Sequence, residues 1–182
     1  MPSFPDFEYF FAVDVLGLSI FAINMSTVIG CIGIFILPLV FQKYLIDKEY
    51  RVSFFLSQFC YVFSVTINLC LALKVNKRVP TLLLYILSGP IAQINDKVMT
   101  MMPCNIIMSK TIPLGVEATM FSFAHTIMNL NLFTLRSLMG VLINDNFVHV
   151  TKEDFSNFYV LQVIALLGAL VPFTYIYFMI PT

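Results

Sequence analysis

The sequence has no tryptophan, only two histidines and few charged residues. Charged residues make up 11% of the 182-residue chain, against about a quarter in ordinary soluble domains. Ten basic residues balance ten acidic ones, so the formal net charge is zero and no attraction to nucleic acid is expected. Hydrophobic residues make up 59% of the sequence, more than one soluble core of this size could bury. We therefore expect a lipid bilayer to cover part of the surface.

Motifs for catalysis, metals and cofactors are also missing from the sequence. The histidines, His125 and His149, are far apart, and no GxSxG, HExxH or phosphate-loop pattern is present. The four cysteines form neither a CxxC pair nor a zinc-ligand spacing, and they lie in apolar runs as small hydrophobes do. The first eleven residues contain no basic residue, so they do not resemble a signal peptide. We predict that the protein is not an enzyme and uses no cofactor.

Five apolar stretches are long enough to cross a bilayer, which takes roughly 20 residues in a helix. They run over about 19–41, 52–73, 81–108, 116–143 and 158–180. Before them, residues 1–18 contain a shorter apolar patch, which is either the end of a partial helix or an interfacial segment. Basic residues follow both of the first two stretches, so the loop charges do not decide the orientation. We predict an all-α membrane protein, a single transmembrane bundle over residues 1–182 with five spans and a partial one.

Three ionisable residues fall well inside these stretches: Asp96, Lys97 and Arg136. Such groups are costly at membrane depth and usually face a cavity or a partner. Helical spacing places Gln93 and Lys97 on one face of the third stretch, with Asp96 at its edge. A functional role is favoured for Lys97 and Arg136, because a cation costs more to bury than an amide or a hydroxyl. The alternative is that Asp96 neutralises one of the two cations.

Uncharged polar residues accompany the cations. Asn24 lies in the first stretch, and His125 and Asn129 share a face of the fourth stretch with Arg136. They are explained either by an aqueous path between the helices or by interhelical hydrogen bonds, which are common in membrane bundles. Pro90 and Pro103 can kink the third stretch, as in many transporters and in many static helices.

The most specific segment covers residues 113–123, with the sequence PLGVEATMFSF. It resembles the P-x-G-x-E-A-T-x-F signature of the folate–biopterin transporter family, within the major facilitator superfamily. Residues 150–158, VTKEDFSNF, resemble the family's V-T-x-x-x-F-x-N-L stretch, and LGLS at 16–19 is similar to its Leu-Gly-Phe-Ser step. These matches follow the family order, and they correspond to the C-terminal half, from the end of helix seven through helix twelve.

The resemblance implies a half or fragment of a solute transporter for folate, a pterin or another organic anion. A superfamily cavity lies between two bundles, so a second transporter half or further membrane subunits are expected as partners. The family's Gly-Asp pair reads Gly89-Pro90 here, which leaves the solute open. The alternative is a non-transporting structural subunit in a larger complex. Either a plasma membrane or an organelle membrane is compatible with the sequence.

By resemblance, the first, third and fourth spans line the cavity, and this selects the candidate site residues. The predicted substrate-binding residues are Lys97, Arg136, Asn24, Gln93, His125 and Asn129. The predicted structural or gating residues are Glu117, Pro113, Gly115 and Asp96. Glu117 follows a proline and a glycine at the expected start of the fourth span, where a helix N-terminus favours a carboxylate.

Overall fold

The computed structural model describes residues 2–45, 48–75, 79–113, 115–151 and 154–179, and within these ranges the chain is helical and has no strand. The residues cited above that lie outside the described ranges are Leu114, Lys152, Glu153, Ile180 and Thr182.

Eight α-helices and four π-helical turns follow one another with short connections in the described residues. The α-helices are α1 (Pro5–Phe10), α2 (Ile20–Tyr44), α3 (Tyr50–Ala72), α4 (Thr81–Ile94), α5 (Met101–Thr111), α6 (Glu117–Asn129), α7 (Arg136–Ile143) and α8 (Phe158–Met179). The π turns are Phe11–Val15, Asn95–Met99, Leu130–Leu135 and Asn144–Val148. The predicted all-α fold is confirmed.

Four helices of the described chain are long and apolar enough to cross a membrane. They are α2, α3, the continuous helix Glu117–Val148 and Phe158–Phe178 of α8. The third predicted stretch is also helical, as α4, a π turn and α5, but Asp96 and Lys97 in its middle reduce its apolar character. That it crosses as a fifth span stays a prediction.

The bundle is built around α3 and α4. Helix α4 packs against both α2 and α3, and α8 also packs against α3. Interhelical hydrogen bonds join these helices: Ser64 Oγ donates to the Ser88 carbonyl at 2.9 Å, and Gln58 Nε2 donates to the Ala169 carbonyl. At Gly30 an added Cβ would collide with Gln93 of α4, so the glycine permits the close approach of α2 and α4.

The N-terminal segment packs into the bundle. Phe4 is 2% exposed, and the Phe11 ring stacks on Phe158 of α8 at 4.3 Å between centroids. The Ser3 amide donates to the Arg136 carbonyl at 3.1 Å, which joins this segment to α7. In contrast, α2 and Glu117–Val148 carry many exposed apolar side chains, such as Phe35 at 86%. These outer faces suit contact with lipid.

Candidate functional site

Two of the π turns position Asp96, Lys97 and Arg136 around the same cavity. A π turn accommodates one residue more than an α-helical turn, and π turns occur frequently at functional sites. Asp96 and Lys97 lie within the turn Asn95–Met99, and Arg136 follows directly after the turn Leu130–Leu135. The charged residues of the third and fourth stretches therefore meet where both helices depart from α geometry.

Arg136 is held on two sides by polar groups. Its Nη1 lies 3.2 Å from Asp96 Oδ2, and its Nη2 donates to the Tyr61 hydroxyl at 3.1 Å. The Arg136 side chain is 12% exposed, whereas that of Asp96 is 33% exposed. Arg136 Nε is buried and has no hydrogen-bond partner within the described part of the chain. We refer to Tyr61, Asp96 and Arg136 as the polar centre.

Two cavities adjoin the polar centre, and its three residues line both of them. The first cavity has a volume of about 230 Å³ and is also lined by Gln58, Asn95, Thr100 and Asn131. The second has a volume of about 290 Å³ and is also lined by Glu8, Asn68, Lys97 and Phe133. The side chain of Arg136 thus borders two cavities, each lined by both polar and apolar side chains.

A second group of polar side chains borders the first cavity. Ser57 Oγ lies 2.9 Å from Asn95 Oδ1 and 2.8 Å from Thr100 Oγ1. Ser57 is in α3 and Thr100 follows the π turn, so these bonds join the two helices. They satisfy buried polar groups that would otherwise be costly in a membrane interior.

The structure brings two of the six predicted substrate-binding residues to the cavities. Arg136 lines both of them, and Lys97 lines the second, with its Nζ 4.9 Å from the centroid of the Phe133 ring. The other four do not line these two cavities: Gln93 lies half-buried at the α2 contact, the His125 ring lies 6.4 Å from Phe121, and Asn24 and Asn129 are exposed. That any of the six binds a solute stays a prediction.

The predicted structural residues lie in two places. Asp96 pairs with Arg136, as one of the two interpretations of the sequence required. Glu117 is the first residue of α6, and its Oε2 accepts from the Gly115 amide at 2.9 Å. Gly115 has a φ of +94°, a conformation that favours glycine, and the exposed Pro113 lies just before it. A gating role for this turn stays a prediction.

Sequence reasoning missed two residues beside the polar centre, Glu8 and Gln162. Gln162 Nε2 donates to Glu8 Oε1 at 3.1 Å, and Gln162 is 1% exposed in α8. The signal in the sequence was Glu8, an acid within the short apolar patch from Phe4 to Phe11. Of the other residues in that patch, one is a proline, one an aspartate and one a tyrosine, and the rest are phenylalanine. The patch was too short to count as a span, so its acid was not considered. Among the described residues, no three His, Cys, Asp or Glu side chains are grouped to hold a metal.

Long apolar helices and a partly buried arginine–aspartate pair between them define an integral, multi-pass α-helical membrane protein. The model of the BT1 family matches residues 7–182, and the chain belongs to this family of folate–biopterin transporters. The predicted family membership is thereby confirmed.

Two similar proteins are known from Arabidopsis thaliana. The chain is 25% identical over 155 residues to "Probable folate-biopterin transporter 2", and the matched region covers 84% of this chain and 30% of that protein. It is 26% identical over 155 residues to "Probable folate-biopterin transporter 5", covering 84% of this chain and 31% of that protein. The chain therefore spans about a third of the length of these relatives. No solved structure matches the chain.

Proposed function

We propose that this chain forms part of a membrane solute transporter, and that its polar centre contacts an organic anion such as a folate or a related pterin. The observation that carries the proposal is the buried guanidinium of Arg136, shared between two cavities. The family and the names of the two relatives support a transport function. We propose transport in place of catalysis, because the polar centre offers binding groups for an anion and no nucleophile with an adjacent base.

Arg136 is suited to bind a carboxylate. A guanidinium presents five donors in a planar fork that matches the two oxygens of a carboxylate. Asp96 and Tyr61 occupy Nη1 and Nη2, and Nε has no partner among the described residues. In a site of low dielectric the attraction to an anion exceeds that in water, although desolvation offsets much of it. A solute carboxylate would compete with Asp96 for the same fork.

The second cavity adds a further cation, Lys97, and a second aromatic ring, Phe133. Lys97 and Arg136 supply positive charge, while Tyr61 and Phe133 supply ring surfaces along the same cavity. A folate combines a planar pterin ring with carboxylates, so these residue types match both of its parts. Pterin rings stack on aromatic faces in the arrangements that aromatic pairs prefer.

A complete solute path requires further membrane helices. Transporters of this superfamily bind solute between two halves, and the chain spans about a third of the length of its relatives. We propose a second transporter half, or further membrane subunits, as the partner.

The test measures uptake of labelled folate and labelled biopterin by a complete transporter, in which this segment is expressed with its own or a matching N-terminal half. The variants are Arg136→Met and Lys97→Met, each compared with the amount of protein that reaches the membrane. Hydrogen bonds to charged groups are worth about 1.5–3 kcal/mol, so we expect Arg136→Met to reduce folate uptake by about tenfold or more at normal expression. Lys43→Met is the matched control, because Lys43 lies exposed near the end of α2, beside its neighbour Tyr44.

The structural-subunit alternative makes a different prediction. If the Asp96–Arg136 pair only holds helices together, Arg136→Met lowers the amount of protein in the membrane, because it leaves Asp96 unpaired. The double variant Asp96→Asn, Arg136→Met would then restore that amount, since breaking one side of a buried pair costs more than removing both. Unchanged folate uptake in both single variants would contradict a solute contact at this site.

A further inference from the structure

A second carboxylate lies beside the polar centre, on α1. Glu8 lines the 290 Å³ cavity together with Arg136, and it also lines a smaller cavity of about 70 Å³ together with Tyr85 and Ser88. Its Oε1 accepts a hydrogen bond from Gln162, a neutral amide. Within the described ranges the ion pair of Arg136 is made with Asp96 and not with Glu8. Glu8 is therefore positioned at the boundary of two cavities without a direct cationic partner among the described residues.

We propose that Glu8 is a proton-binding site, and that its protonation is linked to the binding of an anionic solute at Arg136. This inference rests on the proposed function, because it assigns to the same site a second ligand, the proton. It follows from the position of Glu8 in the cavity that Arg136 also lines.

The physical basis is the repulsion between like charges in one cavity. An ionised carboxylate is costly to bury unless it is paired. When a solute anion occupies Arg136, it adds negative charge to the cavity that Glu8 lines, and this disfavours the ionised form of Glu8. Protonation of Glu8 removes that repulsion. By linkage, the bound anion strengthens proton binding, and the bound proton strengthens anion binding by the same factor.

The other titratable groups around these cavities do not offer an equivalent site. The ones that line the two cavities with Glu8 are Tyr61 of α3, Tyr85 of α4, Asp96 and Lys97 of the π turn and Arg136 of α7. Tyr61 and Tyr85 carry phenols, and Lys97 and Arg136 carry basic groups, so none of the four is a second carboxylate. Asp96 is ion-paired with Arg136, and α8 contributes Gln162, which does not titrate.

The proposed step is a simple proton transfer. A hydronium ion from the water on one side of the membrane gives its proton to a Glu8 carboxylate oxygen, forming an O–H bond and leaving water. After the solute anion has left on the other side, the O–H bond breaks and the proton returns to water there. One proton then accompanies each solute anion, and no redox change occurs.

The experiment measures the half-saturation concentration for labelled folate at mildly acidic and at neutral pH, in the complete transporter. Coupling energies between sites typically correspond to about 5- to 150-fold changes in affinity. We expect wild-type transporter to bind folate at least about fivefold more tightly at acidic pH, and Glu8→Gln to show no such pH dependence. Asp14→Asn is the matched control, because Asp14 is an exposed acid on the neighbouring π turn. Biopterin, which has no carboxylate, should show no Glu8-dependent effect of pH.

A second measurement does not depend on the folding of a variant. A pH-sensitive dye inside vesicles should report proton entry with folate uptake by the wild-type transporter. Folate uptake without proton entry would overturn the inference, and so would a pH dependence that Glu8→Gln retains. Both outcomes leave the proposed function intact, whereas wild-type transporter that takes up neither folate, biopterin nor another organic anion would contradict the proposed function itself.

Discussion

Glu117 illustrates how one exposed side chain can organise a turn. Its carboxylate accepts the Gly115 amide at 2.9 Å and lies at the N-terminus of α6, where the helix dipole favours negative charge. A glutamine in its place keeps the size but weakens both interactions.

We therefore predict that Glu117→Gln reduces either the amount of folded protein in the membrane or the rate of uptake by the complete transporter. Immunodetection at the membrane and an uptake assay measure the two quantities. Glu49→Gln serves as the control, because Glu49 precedes α3 without making a capping hydrogen bond. Normal folding and normal uptake in Glu117→Gln would contradict both a structural and a gating role.

The residues of the polar centre show what a sequence pattern can and cannot predict. The cost of burying charge identified Asp96, Lys97 and Arg136 as unusual, and all three line one cavity. Regular helical spacing placed Lys97 on the same face as Gln93, but the π turn Asn95–Met99 interrupts that spacing, and Gln93 lies instead at the α2 contact. A local change of helical period depends on tertiary packing, which a single sequence does not reveal.

At the scale of elements, apolar length and charged boundaries predicted stretches that can be compared with the helices of the structure. The predicted stretch of about 19–41 corresponds to Ile20–Tyr44, and that of about 52–73 to Tyr50–Ala72. The fourth stretch forms one continuous helix over Glu117–Val148, longer than predicted. Its extension consists of the π turn Asn144–Val148, whose polar residues do not signal a membrane helix.

The contact between α7 and the N-terminal segment depends on a glycine. A Cβ added at Gly140 would collide with the backbone carbonyl oxygen of Ser3, which cannot rotate away as a side chain can. Overpacking of this kind typically costs about 1–3 kcal/mol. We predict that Gly140→Ala lowers the thermal stability of the detergent-solubilised protein.

Gly168→Ala provides the comparison for that experiment. A Cβ at Gly168 would lie 3.4 Å from Pro2 Cδ, an ordinary van der Waals distance. We expect its unfolding temperature to stay close to that of the wild type. Equal stability of the two variants would show that the close contact of Gly140 with Ser3 is not needed.

For the whole molecule, two topologies differ in whether the helical segment 81–111 crosses the membrane. With five spans, a reporter fused after Lys48 and one fused after Thr182 lie on the same side, and one fused after Lys77 lies on the other. With four spans, omitting this helix, the first two reporters lie on opposite sides. We predict the five-span result, with residue 182 in the cytosol.

Glycosylation or phosphatase reporters at the three positions measure this topology directly. The prediction follows from the central place of α4, which packs against both α2 and α3. Both partners are long apolar helices, so a helix between them that did not cross would leave their polar side chains facing lipid. Opposite sides for the reporters after Lys48 and Thr182 would contradict the five-span arrangement.

The π turn at Asn95–Met99 also has a rotational consequence. Each residue of an α-helix advances the chain by about 100° around the axis, so returning this turn to α geometry would rotate α5 against α4 by roughly that angle. Asp96 would then face a different direction from the one in which it meets Arg136. The ion pair therefore forms only while the turn keeps its π geometry. A ligand that separates Asp96 from Arg136 would remove one of the interactions that stabilise this π turn.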